Sequence, residues 1–410
     1  MDARPALDGI RVLDFTQNLP GPWATLVLAS LGAEVIKVEP PAGDTARLTP
    51  ELFEIVNAGK RSVMLDLKRD DEVARLHGLL GEVDVVVEGF RPGVMTRLGC
   101  DAAQVRARHP RLVYCSISGY GQSGPHATHP GHDLNFQALT GVCDLSRDRE
   151  QHPLGAALPI ADLSAAATAV SAILAALFAR ERHGVGATLD VAMVDTLLAW
   201  SHAWADGLTP RDTRLSETLS RVVGPRAGAA GLAGAAAGRL SRWLEGPGAA
   251  ARVDAFGRGL RRTAIYRRLA RLRLYALPHY GLFRTRDDRW LSIAIVDEDK
   301  FWRALCRGLA LPAVAAVPLP LRFVGAAALR AMVARAVRRE SLAHWLAHFD
   351  REQVPVAPVL RIADALADPQ LAFRTAGVLS GAPVSLTHRR LGPAPRLGEH
   401  TVALLGARDY

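Results

Sequence analysis

Strand-like and helix-like segments alternate along the first 200 residues, and this alternation constrains the fold more than any other feature. Short apolar runs at Ile10–Phe15 and Ala33–Val38 flank a stretch with helical spacing, Pro20–Leu31, which stops at Gly32. The same alternation continues through residues 62–116. Repeated strand–helix–strand units predict an α/β fold with a mostly parallel sheet and helices on its faces.

The length of 410 residues exceeds what one hydrophobic core usually supports, so two domains are expected. We predict a large domain at 1–204, joined by the C-terminal tail from about 351 to 410. A smaller α+β domain is predicted at 205–350, with a hairpin at Tyr280–Val296 as its clearest element. Within it, residues 205–275 form a long insertion rich in Ala, Gly and Arg.

Composition excludes several classes of protein. Apolar residues make up 49% and charged residues 22%, which is typical of a globular chain and not of a disordered or fibrous one. The four cysteines lie far apart without a CxxC pair, which argues against a disulfide framework or a zinc site and fits the cytoplasm. We recognise no secretion signal, and the most apolar run, Ala165–Ala179, is too short for a membrane span and predicts a buried helix.

The formal charge of +9 is concentrated in part between Arg221 and Arg273. A basic region of this kind fits either a nucleic acid or a polyanionic cofactor such as coenzyme A. Charge alone leaves both partners open.

Two residues could carry chemistry. His132 follows a loop rich in Gly, Ser and Pro, where an imidazole could meet substrate and titrate near neutrality, or could simply lie on the surface or cap a helix. Asp162 stands where an apolar run meets a long predicted helix. It could be the N-cap of that helix, or it could use the helix start, whose unpaired N–H groups stabilise a developing anion.

In the order and spacing of its motifs, the chain resembles the family III CoA-transferases, the group that also contains α-methylacyl-CoA racemase. The matching segments are Val12-Leu13-Asp14-Phe15, Leu31–Glu39, Lys60–Val63, Leu65–Lys68, Phe90–Val94, Arg97-Leu98-Gly99, the loop at 118–125, Gly131-His132-Asp133, Asp162 and Val356–Val359.

This resemblance implies a Rossmann-like large domain, a small domain, an interlocked homodimer and an acyl-CoA thioester as substrate. It implies no metal or cofactor beyond the CoA of the substrate, no nucleic acid and no membrane span. In the transferases the residue matching Asp162 is the nucleophile, which forms an acyl anhydride and then a CoA thioester. In the racemase it is an acid or base, paired with a histidine that matches His132.

Because a proton transfer across one carbon needs two groups on opposite faces, His132 favours racemisation of a 2-methyl-branched acyl-CoA. In this hypothesis the backbone N–H groups at the start of the Asp162 helix hold the enolate oxygen, and Glu298 orients His132. The segment Leu163-Ser164-Ala165-Ala166, where the racemase is rich in Gly, also occurs among transferases. CoA transfer through Asp162 is therefore the alternative, and a non-catalytic protein that binds CoA or nucleic acid is a further one.

Five residues match positions that bind the CoA nucleotide in the family. Four are basic and one is apolar: Lys37, Lys68, Arg91, Arg97 and Leu67. The resemblance implies that the cations contact the CoA phosphates.

Overall fold

The computed structural model describes residues 4–145, 152–205, 277–296, 298–365, 367–370 and 391–406. Apart from Ala205, the predicted insertion at 205–275 lies outside these residues, as does the basic region Arg221–Arg273. The chain divides into two compact units, Met1–His202 with Leu366–Tyr410, and Ala203–Ala365.

The first unit is built on a six-stranded parallel sheet. Its strands are β1 (Arg11–Asp14), β2 (Glu34–Glu39), β3 (Arg61–Met64), β4 (Val85–Glu88), β5 (Val113–Ser118) and β6 (Thr188–Ala192). They are arranged in the order β3-β2-β1-β4-β5-β6. Strands β4 and β5 are buried along their whole length, which explains why they appear in the sequence as continuous apolar runs.

Helices cover both faces of this sheet. Those that begin in the first unit are α1 (Pro20–Ser30), α2 (Pro50–Val56), α3 (Asp70–Leu80), α4 (Val94–Arg97), α5 (Ala102–Arg108), α6 (Asp133–Leu139), α7 (Val142–Leu145), α8 (Ile160–His183) and α9 (Met193–Ala205). Helices α1 and α8 contribute to the core on one face, whereas α3 and α5 contribute to the core on the other. The predicted α/β fold with a parallel sheet is therefore confirmed.

Helix α8 contains the most apolar run of the sequence. Among the described residues it alone is long and apolar enough to cross a membrane. However, Ala165, Ala169 and Ile173 are buried in the core against α1 and the sheet. The helix therefore has the packing expected of a core helix in a globular domain.

The second unit contains a three-stranded antiparallel sheet, β7 (Tyr280–Arg284), β8 (Trp290–Ala294) and β9 (Val356–Pro358), in the order β7-β8-β9. The helices are α10 (Asp299–Gly308), α11 (Leu319–Val324), α12 (Ala326–Val337), α13 (Leu342–Arg351) and α14 (Ile362–Ala365). Side chains from β8, α10, α12 and α13 form its core. This unit matches the predicted α+β class.

The return of the chain to the first unit was expected from about residue 351, but it takes place after Ala365. The reason is that β9 pairs with β8, with Ala357 opposite Ser292. The C-terminal segment then lies along the edge strand β3, where Met64 N–H donates to Thr401 Oγ1 at 2.9 Å. Helix α15 (Thr401–Leu405) ends the described chain.

Candidate active site

Asp162 lies in the first turn of α8 and is partly exposed. The helix begins at Ile160, two residues earlier than the sequence suggests, so of the two alternatives for Asp162 the N-cap role is excluded. The N-cap position belongs to Pro159, whose side chain has no group that can accept a hydrogen bond. Some other residue must therefore satisfy the first N–H groups of α8.

Asp133, the first residue of α6, takes that role. Its Oδ1 accepts hydrogen bonds from the backbone N–H of Ala161 at 2.7 Å and of Asp162 at 3.2 Å. A carboxylate is a strong cap because it also interacts favourably with the positive end of the helix dipole. The enolate oxygen expected at these N–H groups would have to displace Asp133, so the structure contradicts that part of the racemase hypothesis.

Gln137 holds Asp133 in place from the next turn of α6. Its Nε2 donates a short hydrogen bond to Asp133 Oδ2, and its Oε1 accepts from the backbone N–H of Ala156 at 2.8 Å. Gln137 is buried, so both hydrogen bonds are partly shielded from solvent. This chain of hydrogen bonds joins α6, the segment before α8, and the start of α8.

Two effects raise the pKa of Asp162 to about 6. The larger is burial, which penalises the charged form, and the second is repulsion from the neighbouring Asp133 carboxylate. Asp162 thus remains mostly ionised at neutral pH, yet its charge is poorly stabilised. A carboxylate in such an environment is suited to accept either a proton or an acyl group.

His132 is the N-cap residue of α6 and its side chain is exposed. Its backbone N–H donates to Asn135 Oδ1 at 3.0 Å, which fixes the start of the helix. His132 is covalently linked to Asp133, whose carboxylate contacts the start of α8. The fold therefore brings the first turns of the His132 and Asp162 helices together, whereas the placement of the two side chains on opposite faces of one substrate carbon stays a prediction.

Glu298 is the N-cap residue of α10 in the second unit. Its side chain is exposed, and its Oε2 accepts from the backbone N–H of Val296 at 3.0 Å. The neighbouring Asp299 forms an ion pair with the buried Arg322, so Asp299 has a structural role. Orientation of His132 by Glu298 stays a prediction.

The residues predicted to bind CoA separate into two groups. Lys68, Arg91 and Arg97 are exposed, and Leu67 is partly buried. Lys37 is completely buried: its Nζ lies 2.8 Å from Asp44 Oδ2 and donates to the carbonyl of Thr16 at 2.8 Å. An ammonium that is enclosed in this way cannot reach a phosphate in solvent, which argues against Lys37 as a CoA ligand.

Arg91 also borders a cavity of about 290 Å³ beside the carboxyl end of β4. Glu88, the last residue of that strand, lines the cavity, and burial raises the pKa of its carboxyl group. Ligand sites of open parallel sheets lie at these strand ends. The cavity is thus placed where a site is expected, next to one of the predicted CoA-binding cations.

Sequence reasoning missed Asp133 and Gln137 as functional residues. Their spacing of four on one helix face is a local signal. The contact between Asp133 and the start of α8 spans 28 residues and gives no signal in a single sequence.

Comparison with known proteins identifies the relatives of this chain. The sequence profile described as CoA-transferase family III matches residues 7–224 and 261–401. An acetyl-CoA:oxalate CoA-transferase of Acetobacter aceti is 31% identical over 97% of this chain and 94% of its own length. A probable fatty acyl-CoA transferase of Mycobacterium tuberculosis is 42% identical over 47% of this chain and 51% of its own length.

Solved structures give the same relationship. A protein of known structure from Mycobacterium tuberculosis superimposes with a TM-score of 0.73 and 26% identity, covering 98% of this chain and 100% of that chain. A CAIB/BAIF family protein from Brucella suis superimposes with a TM-score of 0.72 at 26% identity, covering 98% and 99% of the two chains.

Proposed function

Because the chain belongs to CoA-transferase family III, whose relatives here are enzymes, we propose that it moves CoA from an acyl-CoA thioester to a free carboxylic acid. Asp162 is the nucleophile. The observation that carries this proposal is the environment of Asp162, which combines a partly exposed carboxylate with a raised pKa and a second carboxylate next to it.

Acylation relieves the electrostatic cost of that environment. An anhydride or thioester at Asp162 is neutral, so its formation removes the charge that burial and Asp133 destabilise. The free energy that raises the pKa therefore also favours the acyl-enzyme. Asp133 holds the backbone of Asp162 in place through its hydrogen bonds to the helix start.

The reaction balances in two exchanges. The Asp162 carboxylate attacks the thioester carbonyl, the CoA thiolate leaves, and a mixed anhydride forms. The thiolate then attacks the Asp162 carbonyl, which releases the first acid and leaves CoA bound to Asp162 as a thioester. The acceptor carboxylate enters, and the same two steps run in reverse with the new acid. In this scheme His132 lines the pocket, while Lys68, Arg91, Arg97 and Leu67 bind the CoA nucleotide.

The relatives act on different acids. Their names include succinate–glutarate, succinyl-CoA:mesaconate and formyl-CoA:oxalate CoA-transferases. Together with the full-length relative from Acetobacter aceti, these names support CoA transfer as the reaction class and leave the acid to be determined.

Trapping of the acyl-enzyme tests the proposal. The purified protein is incubated with acyl-CoA donors in the presence of hydroxylamine, and peptides that contain residue 162 are analysed by mass spectrometry. We expect a hydroxamate at Asp162, and none in the Asp162→Asn variant. Transfer of CoA to an acid without any modification at this position would contradict the role of Asp162.

Racemisation of a 2-methylacyl-CoA is a second candidate, which the exposed His132 next to Asp133 favours. The two reactions differ in what they need. Racemisation exchanges the α-hydrogen with heavy water in the absence of an acceptor acid, and it requires both His132 and Asp162. Transfer needs the acid and tolerates His132→Ala.

We also propose a homodimer in the cytoplasm. Large apolar side chains on α8 and α9 are exposed in the single chain, including Phe178 at 65% and Trp200 at 54%. Surfaces of this kind mark contacts with a partner. The cytoplasm fits cysteines that stay unpaired, three of them buried.

A further inference from the structure

Exposed leucines lie on the two segments next to the start of α8. Leu134, next to Asp133 on α6, and Leu158, two residues before α8, are each 60% exposed, and Leu154 is 44% exposed. Exposed leucines cost hydration free energy, and a group of them beside a reactive carboxylate fits a surface that a ligand covers.

A close contact and a hydrogen bond join the segment 154–158, which carries Leu154 and Leu158, to α6, which carries Leu134; these three leucines are called the wall below. The Leu134 side chain packs against Gly155 so closely that a Cβ on this glycine would lie 2.6 Å from Leu134 Cδ1. The next residue, Ala156, donates its N–H to Gln137 on the same helix. Because Asp133 accepts hydrogen bonds from the start of α8, the segments that carry these leucines lie next to the start of the Asp162 helix.

The charge of this wall is unfavourable for a second carboxylate. Residues 133–145 and 152–163 contain no Lys or Arg, whereas Asp133 contributes a negative charge. A dicarboxylate bound at Asp162 would place its distal carboxylate among leucines or near Asp133, where these stretches offer no Lys or Arg to balance it and the neighbouring basic side chains in the sequence are the imidazoles of His132 and His152. An alkyl chain would instead cover the exposed leucines.

We infer that the acid exchanged at Asp162 is an apolar monocarboxylic acid whose hydrocarbon chain lies on Leu134, Leu154 and Leu158. This inference rests on the proposed transfer function and goes further, because it assigns the class of acid. Residues 146–151, which include Arg147 and Arg149, lie outside the described residues and are addressed by the test.

The test compares acceptor acids at equal concentration with one acyl-CoA donor. The series is butanoate, hexanoate and octanoate against oxalate, succinate and glutarate, with hydroxamate trapping at Asp162 as an independent readout. We expect kcat/KM to rise about threefold to fourfold per added methylene that contacts the wall. We expect kcat/KM for each dicarboxylate to be at least 100-fold lower than kcat/KM for octanoate.

A specificity variant sharpens the result. Leu134→Lys places a cation in the wall and should raise kcat/KM for succinate at least 10-fold while lowering it for octanoate. The matched control is Leu139→Lys on the same helix, which is 58% exposed but lies about 140° around the helix axis. It should leave the ratio between the two acids unchanged. Both positions are exposed, so folding tolerates the charge.

The outcomes separate the two proposals. If the Asp162 hydroxamate forms but succinate or oxalate is the better acceptor, the inference on the acid is wrong and the transfer function stands. Loss of that dicarboxylate preference in Arg147→Ala or Arg149→Ala would identify the missing cation and would equally overturn the inference. If no donor gives a hydroxamate, the transfer function fails, and the inference fails with it.

Discussion

At the level of single residues, the chemistry of the site depends on two carboxylates that the fold brings together. Asp133 accepts two backbone hydrogen bonds at the start of α8, whereas Asp162 has a raised pKa there. Two identical functional groups thus receive different roles from their surroundings. In the proposed transfer, Asp133 positions the start of α8, and Asp162 is the group that reacts.

The pH dependence of acylation should report the pKa of Asp162. Because only the carboxylate attacks, the rate should rise about tenfold per pH unit below a pKa of about 6 and level off above pH 7. Single-turnover release of the CoA thiol between pH 4.5 and 8.5 measures this profile without a trapping nucleophile that would itself be protonated in this range. A plateau that extends down to pH 4.5 would show that burial and Asp133 do not raise this pKa.

Replacement of Asp133 by Asn should lower the midpoint of the pH profile of acylation. The amide oxygen can still accept from Ala161 and Asp162, but the negative charge beside Asp162 is lost, so its carboxylate ionises more easily. The midpoint should move towards lower pH by up to about one unit, and the rate on the plateau should fall because the carboxylate is less reactive. The same change at Asp101, which caps α5, is the matched control and should leave the midpoint in place.

Asp162 should also reduce the stability of the folded protein at neutral pH. Its folded-state pKa of about 6 lies above the usual value of 3.8, so the ionised form is penalised and stability is lost as the pH rises between these values. Asp162→Asn should therefore be more stable than the natural protein by about 1–2 kcal/mol at pH 7.5, after allowance for partial exposure. Denaturant unfolding should show no difference at pH 3.5.

Some residues of the candidate site could be predicted from the sequence and others could not. His132 and Asp162 were selected from their local context, and the fold places their helices in contact. The role of Asp133 depends on a contact between distant segments, and the burial of Lys37 depends on the sheet around it. A lysine in a strand has the same local signature whether it faces solvent or Asp44.

At the level of elements, apolar periodicity predicted most strands and helices of the described chain. The hairpin of β7 and β8 and the strands of the parallel sheet follow from runs of alternating or continuous apolar residues. The start of α8 was misplaced by two residues because its cap comes from another helix. The role of β9 was also missed, because three residues carry too little pattern to show which sheet they join.

Replacing a buried and an exposed basic residue by Met should separate effects on folding stability from effects on CoA binding. Lys37→Met on β2 leaves Asp44 buried without its cation and should destabilise the fold by about 3–5 kcal/mol. Arg97→Met, at the exposed end of α4, should change stability by less than about 0.5 kcal/mol and raise KM for the acyl-CoA about 10-fold. Thermal unfolding and steady-state kinetics measure the two effects. A normal KM in Arg97→Met would remove Arg97 from the CoA site.

At the level of the whole molecule, the two units differ in how well the sequence predicts them. The first unit consists of repeated strand–helix pairs with the same apolar pattern. A wrong boundary in one pair therefore does not change the fold that is predicted for the unit. The second unit joins its sheet through segments far apart in the chain, Tyr280–Ala294 and Val356–Pro358. Long-range pairing of this kind gives no signal in local composition. The second unit was therefore predicted to end at about residue 350, whereas it ends at Ala365.

The proposed homodimer can be tested through the mass of the protein in solution. A single chain exposes Phe178, Leu198 and Trp200. Burial in a partner contact would stabilise the dimer by about 1.5–3 kcal/mol for each side chain that is fully covered. Light scattering should therefore give twice the 44.0 kDa of one chain. Leu198→Arg with Trp200→Arg should shift this mass towards one chain, because two buried cations would lack partners. A dimer that survives both changes would show that α9 lies outside the interface, and a monomeric natural protein would show that these side chains serve another contact.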